Sequence, residues 1–284
     1  MGKENYKSQE KIARKLDGRN IVHSNVNSFN RSSLVCSVFN PQNLRCIYTN
    51  ADSLLNKIEE FKIRFLSDEN IPDIIAITEV VPKNTRYTLN KADIELSGYE
   101  LFPRNFSGSA RRGVIIYVRK KLQAVEVDID TEFKESVWEK LNLNGNDKLL
   151  FGCVYKSPSS NEANLTALNG LISKFCDMNF THIVTTGDCN YPDIDWELWN
   201  AKEESSLSFM ECVRDNFFHQ LIDHHTRERI GQEPSLLNLL LVNDNENIVN
   251  TKYLDPLGSS DHCVIEFNYR CQGRIQDFKL GGRT

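Results

Sequence analysis

The sequence predicts an α/β sandwich, with mixed β-sheets inside and helices outside. Three observations carry that expectation. Short apolar runs bounded by Gly, Pro, Asn or Asp recur along the chain and read as strands. Segments with helical periodicity are few and lie apart from one another. The first of them sits between two apolar runs, and the connection is long enough for a parallel crossover. Many strands with few, separated helices build mixed sheets covered by helices.

Residues 1–42 are polar, rich in Asn and Ser, and short of periodic apolar positions, so a flexible leader is expected there. Order begins at the strand Leu44–Asn50. Asp52-Ser53 then offers a helix N-cap, and Leu54, Leu55, Ile58, Phe61 and Phe65 share one helical face. Pro72 precedes a buried strand over 73–79. Extended segments follow at 99–104, 113–119, 124–129, 137–143 and 148–155, with Asn144-Gly145 as a hairpin turn between the last two. Residues 164–178 read as a helix, 182–186 as a strand and 205–218 as a helix. Strands are expected near 236–242, 248–253 and 262–269. The Gly- and Arg-rich stretch 271–284 reads as a tail outside a folded domain that spans 43–270.

The chain has 284 residues, 40% hydrophobic and 26% charged, which is ordinary for a globular protein. No apolar run reaches the roughly 18 residues of a membrane span, and the polar start MGKENYKSQEKIARK is no signal peptide. Eight cysteines without a CxxC pair, most of them in apolar runs, point to buried free thiols in a reducing compartment, nucleus or cytoplasm. The net charge of −5 counts mildly against nucleic acid, yet a local basic patch is available in Arg104, Arg111, Arg112, Arg119, Lys120 and Lys121.

Polar residues recur at the ends of the apolar strands: Asn50, Glu79, Tyr155, Asp188 with Asn190, and Asp261 with His262. Asp188 and Asn190 are two apart on an extended chain and so face one site together. Each residue alone has a plain structural reading; their recurrence at strand ends suggests one hydrolytic site. Phosphodiester hydrolysis fits. Mg²⁺ accepts one or two carboxylates, an amide and waters, so Glu79 helped by Asn50 would hold it. Asp188, held by Asn190, would orient or deprotonate the attacking water. His262 would bind a phosphoryl oxygen or stabilise transition-state charge. His182 reads as a core or edge residue, and His219, His224 and His225 as loop residues.

These residues also lie in recognisable blocks. TNADSLLNKIEEF, IAITEV, RRGVIIYVRKKL, VYKSP, GDCNYPDIDW, HTRERIGQEPSLLNLLLVND and LDPLGSSDHCVIEF occur in order. Over roughly 43–270 the sequence resembles the endonuclease/exonuclease/phosphatase superfamily, and within it the endonuclease domain of non-LTR (LINE-type) retrotransposons. The resemblance implies a four-layer α/β sandwich with two packed mixed sheets. It also implies Mg²⁺-dependent nicking of target DNA to prime reverse transcription, with Mn²⁺ able to substitute. By it, Asn50 and Glu79 match the metal site, which Asp261 joins, and Tyr155 matches a phosphate-contacting tyrosine. Asp188 and Asn190 match the water-activating pair. Ser260, Asp261 and His262 match the final triplet, Thr226 a threonine near the substrate, and Arg112 joins the substrate-binding set. DNA is the expected partner, with no membrane and no stable protein partner. No polymerase follows within these residues, so a fragment or a domesticated copy is expected.

One position departs from the family pattern. The Asp that orients and charges the active-site histidine is Asn238 here, in Ser235-Leu236-Leu237-Asn238-Leu239. An amide accepts a hydrogen bond from the ring but brings no charge, and it can flip and favour the wrong tautomer. In serine-protease triads an Asp-to-Asn change in the same role costs about 10⁴ in turnover. A catalytically impaired DNA-binding copy is therefore the rival expectation, with a phosphatase or phosphodiesterase of the same fold as a third.

Overall fold

The computed structural model describes residues 43–67, 69–83, 90–104, 112–143 and 146–271, leaving aside the side chain of Cys176. The expected leader, Arg111, the Asn144-Gly145 turn and residues 272–284 lie outside the described residues.

The first sheet is built from β1 (Asn43–Asn50), β2 (Ile74–Thr78), β3 (Tyr99–Arg104), β4 (Val114–Arg119), β11 (Ile248–Leu254) and β12 (Val264–Arg270). Its strand order is β11-β12-β1-β2-β4-β3. The second sheet holds β5 (Val125–Glu126), β6 (Ser136–Asn142), β7 (Lys148–Tyr155), β8 (His182–Asp188), β9 (His219–Gln220) and β10 (Asn238–Val242), in the order β5-β6-β7-β8-β10-β9. The α-helices are α1 (Ile58–Leu66), α2 (Glu162–Asp177) and α3 (Glu204–Asp215).

Burial sorts these elements into four layers. Phe61 and Phe65 of α1 pack with Ile47, Ile75 and Ile77 on the outer face of the first sheet. Tyr48, Ala76, Ile116, Phe151, Cys153 and Leu240 meet between the sheets. Phe175 and Phe209 of α2 and α3 cover Trp138, Leu150 and Leu241 on the outer face of the second. Both strand faces are therefore buried, which is why the central strands read as continuous apolar runs.

Each sheet has one parallel pair, β1 with β2 and β7 with β8, and its crossover carries α1 or α2. The C-terminal ends of these strands share one end of the sandwich. The antiparallel strand β10 starts at that same end, with Asn238 opposite Asp188. Residue His262 stands just ahead of β12, beside it. Topology, not sequence proximity, thus gathers the polar strand ends.

Several expectations need correction. Ser53 makes no cap bond for the following turn and lies at φ 79°, because its N–H donates to the Glu79 carbonyl at 2.7 Å. That turn is shaped by the neighbouring strand end rather than by the helix. Only Val125–Glu126 forms a strand in the stretch expected to run over 124–129. Helix α3 stops at Asp215, and Phe217 at φ 60° reverses the chain. His219, expected in a loop, lies in the two-residue strand β9. Cys271, placed at the head of the tail, is buried against the inter-sheet core.

Candidate active site

Asp188 is the centre of the polar cluster. It ends β8 and is 1% exposed. Asn50 Nδ2 donates to its Oδ2 at 2.8 Å, and the backbone N–H of Asn190 donates to its Oδ1 at 3.1 Å. Burial, and then the charge of Glu79, push its carboxyl up to about 7; the bonds from Asn50 and Asn190 pull the other way. The preceding glycine allows the approach. A Cβ on Gly187 would stand 1.9 Å from the Val154 carbonyl oxygen of β7, so only hydrogen fits there. Asn190, at φ 46°, is fixed by its own amide, which donates to the Lys156 carbonyl at 2.9 Å.

Glu79 follows β2 at φ 53°, a left-handed conformation that side chains adopt at a cost. Its Oε1 accepts from the Tyr155 hydroxyl at 2.8 Å, and its Oε2 pairs with Arg112 Nη2 at 2.6 Å. The same nitrogen lies 2.6 Å from Asp52 Oδ1. Burial and the adjacent Glu79 carboxylate raise the Tyr155 phenol well above its usual range, so it stays protonated and donating. As arranged, Tyr155 holds Glu79 rather than offering its proton to a phosphate.

His262 sits 5% exposed on the opposite wall. Its Nδ1 is 3.0 Å from Asn238 Oδ1, and its N–H is bonded to Ser260 Oγ at 3.2 Å. Burial lowers the imidazole to about 4, against the pull of Asp261. The 3.9 Å between its Nε2 and Asp188 Oδ2 is therefore no ion pair at intermediate pH, since both groups are then neutral. With Nδ1–H donating to Asn238, Nε2 presents a lone pair to the site. The Asn238 Nδ2 is buried without a partner among the described residues.

The remaining expected residues divide by position. Glu79, Asp188, Asn190, Ser260, Asp261 and His262 line one cleft of about 770 Å³, where Asp52 joins them unexpectedly and whose lining also includes Lys83 and Arg229. Asn50, Tyr155, Arg112, Asn238 and Thr226 support it from behind. Thr226 was expected near the substrate; instead its Oγ1 accepts from the N–H groups of Leu237 and Asn238 at 3.0 and 2.9 Å, and so sets the start of β10. Ser260 Oγ donates to the Asn50 carbonyl at 2.8 Å, tying the last loop to β1. A neighbouring groove of about 1020 Å³ shares only Pro192 and Ser235 with this cleft and holds none of the clustered acids.

The expected basic patch does not form one surface. Arg112 lies at the site end of β4, whereas Arg119 and Lys121 pair with Asp73 at the other, and Arg104 pairs with Glu126. A strand of that length separates its ends by roughly 20 Å. Sequence reasoning missed Asp52, Lys57 and Arg227. Arg227 Nε donates to Asp261 Oδ2 at 3.0 Å, and Lys57 Nζ donates to the Ala51 and Asp52 carbonyls at 2.6 and 3.0 Å. Their one sequence signal is a charge within a polar block, which ordinarily marks a solvated face.

The cleft offers the carboxylates of Asp52, Glu79, Asp188 and Asp261, hard oxygens of the kind Mg²⁺ accepts, beside the imidazole of His262. Among the described residues no three His, Cys, Asp or Glu side chains already stand as a metal cage. A carboxylate–amide pair completed by waters is the arrangement that fits.

Residues 149–266 match a family described as endonuclease-reverse transcriptase. No curated protein sequence matches the chain. Among solved structures, the endonuclease domain of TRAS1, a telomere-specific non-LTR retrotransposon, is 16% identical with a TM-score of 0.58, covering 81% of this chain and 100% of that one. The AP endonuclease LMAP from Leishmania major is 14% identical with a TM-score of 0.61, covering 81% and 88%. The 3′ phosphatase NExo from Neisseria, bound to a product DNA hairpin, is 15% identical with a TM-score of 0.58, covering 80% and 99%. At these identities the likeness speaks to fold alone. The family match is confined to residues 149–266, and the two-sheet α/β sandwich is the fold shared with these endonucleases and phosphatases.

Proposed function

We propose that this protein is a Mg²⁺-dependent phosphodiester hydrolase that nicks DNA, of the retrotransposon endonuclease type. The observation that carries the reading is Asp188. It is a nearly buried carboxyl on the wall of the cleft, at the end of a central strand, held at both oxygens and poised near neutral pH, which is where a general base works best.

In this reading Asp188 takes the proton of a water that attacks the phosphorus. Asn50 and Asn190 hold the two carboxylate oxygens, so the lone pair it offers is fixed in direction. Glu79, steadied by Tyr155, is the principal metal ligand, with Asn50 and Asp261 as further candidates. Bound Mg²⁺, or Mn²⁺ in its place, would supply charge neutralisation at a phosphate oxygen and at the leaving group. Lys83 and Arg229 of the cleft lining would meet flanking phosphates, which position the duplex without reading its sequence. The free cysteines of the described residues accord with a reducing compartment, nucleus or cytoplasm. No helix among the described residues is long and apolar enough to cross a membrane.

One observation favours the rival reading of an impaired copy. Burial keeps His262 uncharged at pH 7, and its Nδ1 partner Asn238 is an amide that brings no charge to offset that burial. Nicking of supercoiled plasmid with Mg²⁺ tests both readings, run on the protein, on Asp188→Ala and on Asn238→Asp. Nicking lost in Asp188→Ala supports the working nuclease. Nicking only in Asn238→Asp identifies an enzyme disabled at the histidine partner. Silence in all three, or preferential hydrolysis of a small phosphomonoester, rejects the nuclease reading.

A further inference from the structure

The guanidinium of Arg112 is held in an unusual way. It is 5% exposed. Its Nε donates to the Val81 carbonyl at 2.9 Å, which anchors one edge to the chain after β2. A single end nitrogen, Nη2, serves two carboxylates at once, Asp52 and Glu79, both at 2.6 Å. The other end nitrogen, Nη1, is buried and has no partner among the described residues. A permanent structural clamp would spread its N–H groups over its acceptors, as a guanidinium fork readily does with carboxylates. Here one nitrogen is doubly used and its twin is idle. The carboxylate so occupied is the one the proposed hydrolase needs for its cation.

We propose that Arg112 is a built-in counter-ion, which neutralises Glu79 while no metal is bound and surrenders Glu79 Oε2 when a divalent cation arrives. The inference rests on the reading of this cleft as a Mg²⁺ site. Two cations of like charge cannot share one carboxylate oxygen in a partly desolvated cleft without strong repulsion. Arg112 has somewhere to go, because Asp52 remains as its partner; that side chain is half exposed and free to follow. The Glu79 backbone, fixed by Ser53 N–H, and the Tyr155 bond to Oε1 would stay as they are. The exchange thus costs one ion pair and leaves the carboxylate in place.

The test is Mg²⁺ binding without DNA, followed by isothermal titration calorimetry, on the unaltered protein, Arg112→Met, Arg112→Lys and Glu79→Gln. Competition predicts that Arg112→Met binds Mg²⁺ tighter by about tenfold or more, with Glu79→Gln losing the site. If Arg112 only orients Glu79, Arg112→Met binds more weakly, and the proposal falls while the metal reading survives. Equal affinity in the two proteins overturns it as well. No binding to any variant, Arg112→Met included, rejects the metal reading and this proposal with it. Binding to Arg112→Met but not to the unaltered protein supports the exchange. Should Arg112→Met fail to fold, nitrogen NMR of the unaltered protein decides. The Arg112 side-chain N–H signals should move and exchange faster with solvent as Mg²⁺ is added, and signals that ignore the metal refute the exchange.

Discussion

Replacing Asn238 by Asp should move the ionisation of His262 across the physiological range. In the native protein Asn238 Oδ1 lies 3.0 Å from His262 Nδ1, and the imidazole is held at about 4, chiefly by burial. A carboxylate in the same place puts charge centres about 4 Å apart, worth about 4 kcal/mol at an effective dielectric of 20, or about three pKa units. His262 should then titrate near 7, as part of a coupled pair with the new carboxyl. The sign of the stability effect follows. An unfolded His titrates near 6.5, so a folded value of about 4 means that the native state disfavours the proton. Stability is then present above pH 6.5 and lost as pH falls towards 4, by up to about 3 kcal/mol. In Asn238→Asp that loss should vanish, and the unpaired Asn238 amide goes with it. The assay is proton NMR of the His262 ring from pH 3.5 to 8.5, with urea midpoints at pH 7 and pH 5. An unaltered protein whose ring titrates at 6 or above refutes the reasoning, as does a variant whose ring shifts by less than about one unit.

The other expectations concern separate parts of the molecule. Nicking should climb as pH rises through about 7, where Asp188 loses its proton; a rate flat from pH 5 to 9 would remove Asp188 as the base. Because its folded value lies above 3.8, Asp188 costs stability as pH rises from 3.8 towards about 7. Asp188→Asn should therefore melt higher at pH 8 while inactive, with a net gain of about 1–3 kcal/mol once the lost acceptor is offset. Gly187→Ala should destabilise by at least about 1–3 kcal/mol in urea, because its methyl meets backbone rather than a movable side chain; an unchanged midpoint would mean that β7 and β8 are spaced differently. Glu139 is fully buried in β6, with neither carboxyl oxygen bonded, and burial raises its pKa well above the usual range. Glu139→Leu should stabilise by about 1–3 kcal/mol, most at alkaline pH, and a destabilised variant would reveal a hidden partner. Arg229→Ala should weaken DNA binding evenly across sequences and reduce the salt slope by about 1, as loss of one phosphate contact does.

Much of the site was legible because strand ends announce themselves locally. An apolar run that stops at Asn50, Glu79, Tyr155 or Asp188 marks a side chain the core rejects, and no knowledge of its partner is needed to see it. The layers were legible for the same reason: Tyr48, Ala76 and Phe151 lie in runs too continuously apolar to face water. The helix cap at Ser53 was misread because a local motif competed with a long-range bond, Ser53 N–H to the Glu79 carbonyl, and lost. The basic patch does not hold because Arg112 and Arg119, only seven positions apart, stand at opposite ends of β4, one just before its first residue and one at its last.

Local chemistry therefore determined which residues would be polar at strand ends and which faces would be buried. Those properties depend on composition and period, which a linear chain carries in full. The tertiary structure decided what each polar group touches. Asn50 and Asp188 are 138 positions apart and share a hydrogen bond, and Arg112 reaches Asp52 from 60 positions away. It also decided charge state, because the rise of Asp188 and the fall of His262 come from desolvation, and desolvation exists only once both sheets have closed over the cluster.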